Sequence, residues 1–261
     1  MYKRINHILG FLAFLIPFVL YLITMAPTTS FWDCGEFIAT SYILGVPHPP
    51  GSPLFLLLGN VFSNLPLFND IGARVNLISP IASALSVMFL YYIIVHLIEE
   101  FNGSVENISG FIINNLSAFI AALTFAITDS HWFNAVESEV YALSTFFTAI
   151  VIWMILKWSN HSNKKWDVRY LLLIAYMLGL AIGIHILNLL TLPFVMLIIY
   201  FKKYKYSLKS FIYVILITLF VFIMIYSGII LGLPDIVSKF KGVNIIIISL
   251  IIIFFSIIFN G

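Results

Sequence analysis

The 261-residue chain is 62% hydrophobic and only 9% charged, with a formal net charge of +2 and a mean hydropathy of +1.08. A soluble domain carries about 25% charged residues, so an ordinary water-soluble protein is excluded. The small net charge, with no basic stripe among exposed aromatics, excludes a nucleic-acid partner. The apolar content excludes disorder, and a single cysteine, Cys34, excludes a disulfide scaffold or a cysteine-rich metal site. Long apolar runs recur from end to end. The fold class that follows is all-α: a polytopic helical membrane protein with about eight crossings, read as one transmembrane domain over residues 1–261.

The first run, Ile8–Met25, follows Lys3 and Arg4. It is long for a signal-peptide core and no small-x-small cleavage site follows it, so it reads as a retained helix with its basic end inside. A long outer connection then runs from Ala26 to Ile78. Within it, Pro53–Leu67 is mostly apolar yet too short to cross, which predicts an interfacial or re-entrant helix. Ser79–Ile98, Phe111–Thr128 and Val140–Lys157 follow as spans. Val168–Gly183 and Ile186–Phe201 form a hairpin turning near Gly183–His185, and Phe211–Leu231 and Val243–Phe259 complete the set.

Positive charge orients these spans. Lys157, Lys164, Lys165 and Arg169 cluster in one loop and Lys202, Lys203, Lys205 and Lys209 in another, so both are expected on the cytoplasmic side. Lys239 and Lys241 fall on the outer side and clash with this scheme. The outer side then collects Asp33, Glu36, His48, Asp70, Arg74, Asp129, His131, Glu137, Glu139 and His185, while the span midplanes hold no ionisable residue. Titratable groups gathered at one interface suit chemistry at the membrane surface better than a charge-conducting path.

Three outer segments carry that chemistry. In Phe31–Phe37 (FWDCGEF), Asp33 and Glu36 are three residues apart and would share a helical face. They serve either as an N-cap opening a helix through Leu44, stopped by Gly45 and Pro47, or as catalytic carboxylates. In Val46–Gly51, three prolines and a glycine stiffen the chain around His48, either as a turn or to position the imidazole. In Trp132–Leu143 (WFNAVESEVYAL), Glu137 and Tyr141 lie at i and i+4, which predicts one helical face. Acids at the start of a helix are also favourable in themselves. His185 is read either as a lone interfacial histidine or as a site group. Trp132 also suits an interface anchor. Arg74, the sole outer arginine, either snorkels or contacts a phosphate.

Taken in order, FWDCGEF, the HPPG at His48–Gly51, WFNAVESEVYAL and the GIHILNLL at Gly183–Leu190 resemble one family over roughly residues 5–205. It is common in Bacteroidetes, is placed with the GT-C type glycosyltransferases, and includes the eukaryotic transmembrane O-mannosyltransferase that modifies plexin-type domains. The resemblance implies a multi-span enzyme at the outer face of a bacterial inner membrane. It implies a lipid-linked sugar donor, a protein Ser/Thr acceptor and inversion at the sugar. It places catalysis on Asp33 and Glu36 and matches His48, Glu137 and His185 to family motif positions. Donor-phosphate or substrate contacts are then expected of Arg74, first for the phosphate, and of His48, His185, Glu137, Trp132 and Tyr141. A divalent metal (Mg or Mn) on the carboxylate pair stays open. Family members run longer, so the chain is expected to be the N-terminal part of a larger protein. The competing readings are a transporter or lipid flippase, against which stands the lack of broken helices and midplane polar sites, and an inactive scaffold subunit.

Overall fold

The computed structural model describes residues 2–103, 107–162, 167–232, 234, 235 and 239, and among these every regular element is helical. In chain order they are α1 (Tyr2–Thr24), α2 (Cys34–Ile43), α3 (Pro53–Ser63), α4 (Ile71–Asn76), α5 (Ile78–Asn102), α6 (Ile108–Ala126), α7 (Asp129–Ala135), α8 (Val140–Ser159), α9 (Asp167–Ile182), a 3₁₀ turn (Ile186–Leu190), α10 (Thr191–Lys203) and α11 (Leu208–Ile223). A π-helical stretch, Met224–Gly232, continues α11.

Among the described residues, six runs are long and apolar enough to cross a membrane: Arg4–Thr24, Ile71–Asn102, Ile108–Ala126, Val140–Ser159, Ile186–Lys203 and Leu208–Gly232. Each matches a predicted span. The predicted crossing Val168–Gly183 forms α9, whose 16 residues reach about 24 Å at 1.5 Å per residue. That is short of a hydrocarbon core of about 30 Å. The predicted span Val243–Phe259 and the loop residues Lys164, Lys165 and Lys241 lie outside the described residues.

The chain divides into two compact units, Met1–Tyr204 and Lys205–Gly261. In the first, α5 packs against α1, α6 and α8. Small residues make this possible. Ala82, Ser83, Ala84 and Ser86 are buried on α5, and Ala118, Ala122 and Ala126 form a buried i, i+4 stripe on α6. Gly10 of α1 meets Tyr92 so closely that a Cβ there would lie 2.2 Å from the Tyr92 hydroxyl. Large apolar side chains on α1 and α6 (Phe11, Val19, Ile113, Ile120) face outward, as expected of helices whose solvent is lipid. Helices α9 and α10 are joined through the 3₁₀ turn, and both pack on α8. Lys203 Nζ sits 2.7 Å from Asp167 Oδ2, and it also donates to the Ser162 carbonyl, so the far ends of α8, α9 and α10 meet.

Residues 25–77 fold back as a small cap of three helices. Phe37, Phe55, Leu56 and Val75 of α2, α3 and α4 share one core with Ile78 and Ala82 of α5, with Val140, Leu143 and Phe147 of α8 and with Ile184. Helix α3 ends at Ser63, short of the predicted Leu67, because the residue before Pro66 is disfavoured in helical conformation. Helix α2 ends at Ile43, and Leu44 takes the left-handed cap position expected of Gly45 (φ 51°). α2 and α3 cross at Gly59, where a Cβ would lie 2.7 Å from Ser41 Cβ.

In the second unit, α11 starts on Ser207, whose hydroxyl accepts from the Ser210 N–H.

Candidate functional site

Asp33 occupies the N-cap position of α2, but its backbone is helical (φ −81°, ψ 0°) and its side chain makes no capping hydrogen bond. A cap normally adopts an extended conformation so that its oxygen can reach back to the N2 or N3 amide. The capping role open at the sequence level is therefore not taken up. Among the described residues no hydrogen-bond partner holds the Asp33 carboxylate.

Glu36, one turn on, is fully engaged. Oε1 accepts the His48 backbone N–H at 2.7 Å, and Oε2 lies 2.7 Å from His48 Nδ1. The Pro47–Gly51 segment presents both His48 groups to one carboxylate. It closes with Gly51 at φ 80°, its N–H donating to the His48 carbonyl, a conformation that favours glycine. Phe37 packs edge-on against the imidazole at 5.7 Å. The His48 hydrogen bonds hold the Glu36 carboxyl below its ordinary value. Reciprocally, the hydrogen bond to Glu36, helped by the charges of Asp33 and Glu139, raises His48. The ligating atoms of Asp33, Glu36 and His48 all lie within 4.8 Å of one another, and all three residues are exposed. Two carboxylates and an imidazole form a donor set that could hold a divalent cation. The Glu36–His48 ion pair competes with that use, since a metal ligand must be a neutral imidazole.

Behind this open cluster lie two buried acids. Glu139 is 6% exposed, and its carboxyl accepts from the Cys34 thiol at 3.9 Å. Burial, with Asp33 and Glu137 nearby, pushes it up to about 7. Burial, with Glu137 and Glu139 nearby, pushes the Cys34 thiol up as well, so the thiol remains a donor. Glu137 is 2% exposed and accepts from the Ser30 hydroxyl at 2.7 Å, while its backbone carbonyl accepts from Ser79 at 2.5 Å. Ser138 donates to Asn76 Oδ1, and Asn76 Nδ2 in turn donates to the Ala26 and Thr28 carbonyls. These bonds stitch residues 26–30 to 137–139, so FWDCGEF and WFNAVESEVYAL lie side by side. The Gly183–Leu190 motif joins through the Gly183 carbonyl, which accepts from Leu54 N–H at the start of α3.

Other expected site residues fall elsewhere. Glu137 and Tyr141 do not share a helical face: α7 stops at Ala135, α8 starts at Val140, and Glu137 lies in the irregular link between them. Tyr141 instead packs on His185 at 5.3 Å. His185 opens the 3₁₀ turn, its Nδ1 accepting from Leu187 N–H, and burial lowers its proton affinity. Arg74 donates to the backbone carbonyls of Phe68 (2.6 Å), Ser63 (3.0 Å) and Asn69 (3.5 Å). It clamps the end of α3 and contacts none of Asp33, Glu36 or His48. Trp132 Nε1 donates to Thr24 Oγ1 at 3.0 Å, tying α7 to α1. His131 is buried against Phe125 and Tyr21, and burial pushes it down to about 4. The group that sequence reasoning undervalued is Glu139. Its only local signal was its place within WFNAVESEVYAL, since its burial arises from Cys34, 105 residues away.

No solved structure matches the chain. It is 24% identical over 195 residues to Protein O-mannosyl-transferase tmem260 of Dictyostelium discoideum, a match covering 70% of this chain and 22% of that protein. It is 27% identical over 150 residues to Protein O-mannosyl-transferase TMEM260 of Mus musculus, covering 58% of this chain and 19% of that protein. The chain thus spans about a fifth of the length of these curated relatives. Residues 33–208 match the family described as Protein O-mannosyl-transferase TMEM260 N-terminal domain. That stretch opens on Asp33 and contains every buried and exposed acid of the site, and the chain belongs to this family.

Proposed function

We propose that the chain carries the catalytic end of a GT-C type, inverting protein O-mannosyltransferase, working at the outer face of a bacterial inner membrane. The donor is a polyprenyl-phosphate mannose and the acceptor a protein serine or threonine. The observation that carries this reading is the exposed Asp33–Glu36–His48 cluster, in which one carboxylate is uncommitted and the other holds an imidazole and raises its proton affinity.

The roles follow from that division. A hydroxyl is a poor nucleophile at neutral pH, and a positioned carboxylate that takes its proton accelerates attack by about 10²–10⁴-fold. Asp33 is the group free to do so. As the hydroxyl oxygen bonds to the anomeric carbon, the bond from that carbon to the phosphate oxygen breaks, and the lipid phosphate leaves with the electron pair. A cation at the leaving oxygens lowers this barrier. His48, whose proton affinity Glu36 raises and whose Nε2 is uncommitted, fits the task in its protonated form. Arg74, occupied by backbone carbonyls, acts as a positioning residue that sets α3 and the loop behind it. A divalent ion held on the Asp33 and Glu36 carboxylates would supply the same positive charge.

The test is transfer from a polyprenyl-phosphate sugar in membranes bearing wild-type or Asp33→Asn protein in its complete natural form. Asparagine keeps the volume and cannot accept the proton. Activity should fall at least 10²-fold at equal membrane abundance. Equal activity would remove Asp33 as the base.

A further inference from the structure

At the end of the bundle opposite the Asp33 cluster, α1, α5 and α8 border an open groove of about 550 Å³. Its register follows from Gly10 packing on Tyr92: one turn towards the chain start on α1 lie Asn6 and His7, and one turn further along α5 lies His96. Lys157 joins them from the end of α8. Deeper along the same helices the lining turns aromatic. Phe89 lies about 10 Å along α5 from His96, and Trp153 about 6 Å along α8 from Lys157. The two rings touch at 5.2 Å.

The groove is therefore graded, with nitrogen donors at the rim and an aromatic floor within the bundle. Lys157 Nζ lies 4.6 Å over the Trp153 ring and makes no ion pair among the described residues. Glu99 also lines the groove, but it forms no ion pair with Lys157, His7 or His96. Asn6 Oδ1 is shielded from solvent and has no partner, so a headgroup hydroxyl would find an acceptor there.

We propose that this groove holds one membrane lipid with an anionic phosphate headgroup. The phosphate sits at the His7, His96 and Lys157 rim, and the hydrocarbon chain runs along Phe89 and Trp153. Lys157, which no carboxylate pairs among the described residues, selects the phosphate, with the His7 and His96 rings as hydrogen-bond donors beside it. The apolar floor, useless to a free anion, selects a lipid as its source. Each basic group at the rim strengthens binding of an anionic headgroup about fivefold. The site is separate from the proposed catalytic cluster, so it stands or falls independently of the transferase reading.

The experiment is native mass spectrometry of the full chain in detergent, titrated with phosphatidic acid or phosphatidylcholine, with inorganic phosphate as competitor. Phosphatidic acid should be retained at least fivefold more tightly than phosphatidylcholine, and millimolar phosphate should not displace it. Lys157→Gln should weaken retention about fivefold, Lys157→Gln with His96→Gln further, and Lys157→Arg little. Lys202→Gln, at an exposed lysine outside the groove, should have no effect. Indifference to the double substitution, or equal retention of the two lipids, would overturn the proposal. Displacement by inorganic phosphate would show an anion site without lipid selectivity and would overturn it equally.

Discussion

Glu139→Gln tests how deeply the second acid is committed to the fold. Glu139 is 6% exposed, and its carboxyl is pushed from the usual 4.5 to about 7. A raised folded-state value means that the neutral form is preferred inside. Stability from this group is thus fully present below about pH 4.5 and lost as pH rises through about 7. The interval corresponds to about 3 kcal/mol. Glutamine keeps the shape and can still accept from Cys34, but it has no proton to lose. Wild type and variant should therefore melt together near pH 5, and the variant should melt higher near pH 9. At ~2–4 °C per kcal/mol for a chain of this size, the gap is roughly 6–12 °C. The assay is apparent melting of purified protein in detergent between pH 5 and 9. His131 titrates in both proteins and cancels in the difference. A gap that does not change with pH would refute the argument that burial, with Asp33 and Glu137, holds Glu139 neutral.

Further expectations concern the cap and the topology. Gly59→Ala places a Cβ 2.7 Å from Ser41 Cβ, so α2 and α3 must separate; a loss of about 1–3 kcal/mol, read by melting, should come with reduced transfer activity because Asp33 and Glu36 ride on α2. Arg74→Lys keeps the charge but loses the fork that reaches three carbonyls; thermal stability should fall by about 1–3 kcal/mol. Donor affinity, measured below the melting range, should stay within twofold of wild type; a tenfold weaker affinity would restore Arg74 to the donor site. For the topology, single cysteines at positions 33 and 185 on a Cys34→Ser background should react with an impermeant thiol reagent from outside intact cells, and a cysteine at Lys203 should not. Labelling at 203 from outside would invert the scheme.

Segmentation was legible in the chain because hydrophobic length is a local property: a run such as Val140–Ser159 declares a membrane helix whatever surrounds it. The residues of the candidate site were legible too, since Asp33, Glu36 and His48 stand in polar breaks between apolar runs. Their division of labour was not. Asp33 and Glu36 are equivalent by spacing. They differ only because His48, twelve residues on, is folded onto one of them and leaves the other free. Arg74 looked available for a phosphate until α3 and the following loop turned their carbonyls onto it. Glu137 and Tyr141 matched a helical period that the chain breaks after Ala135. Glu139 became a near-neutral acid only when Cys34 and α8 closed over it. Each of these outcomes depends on contacts between distant segments, which packing of the bundle and its cap selects and which no local pattern encodes.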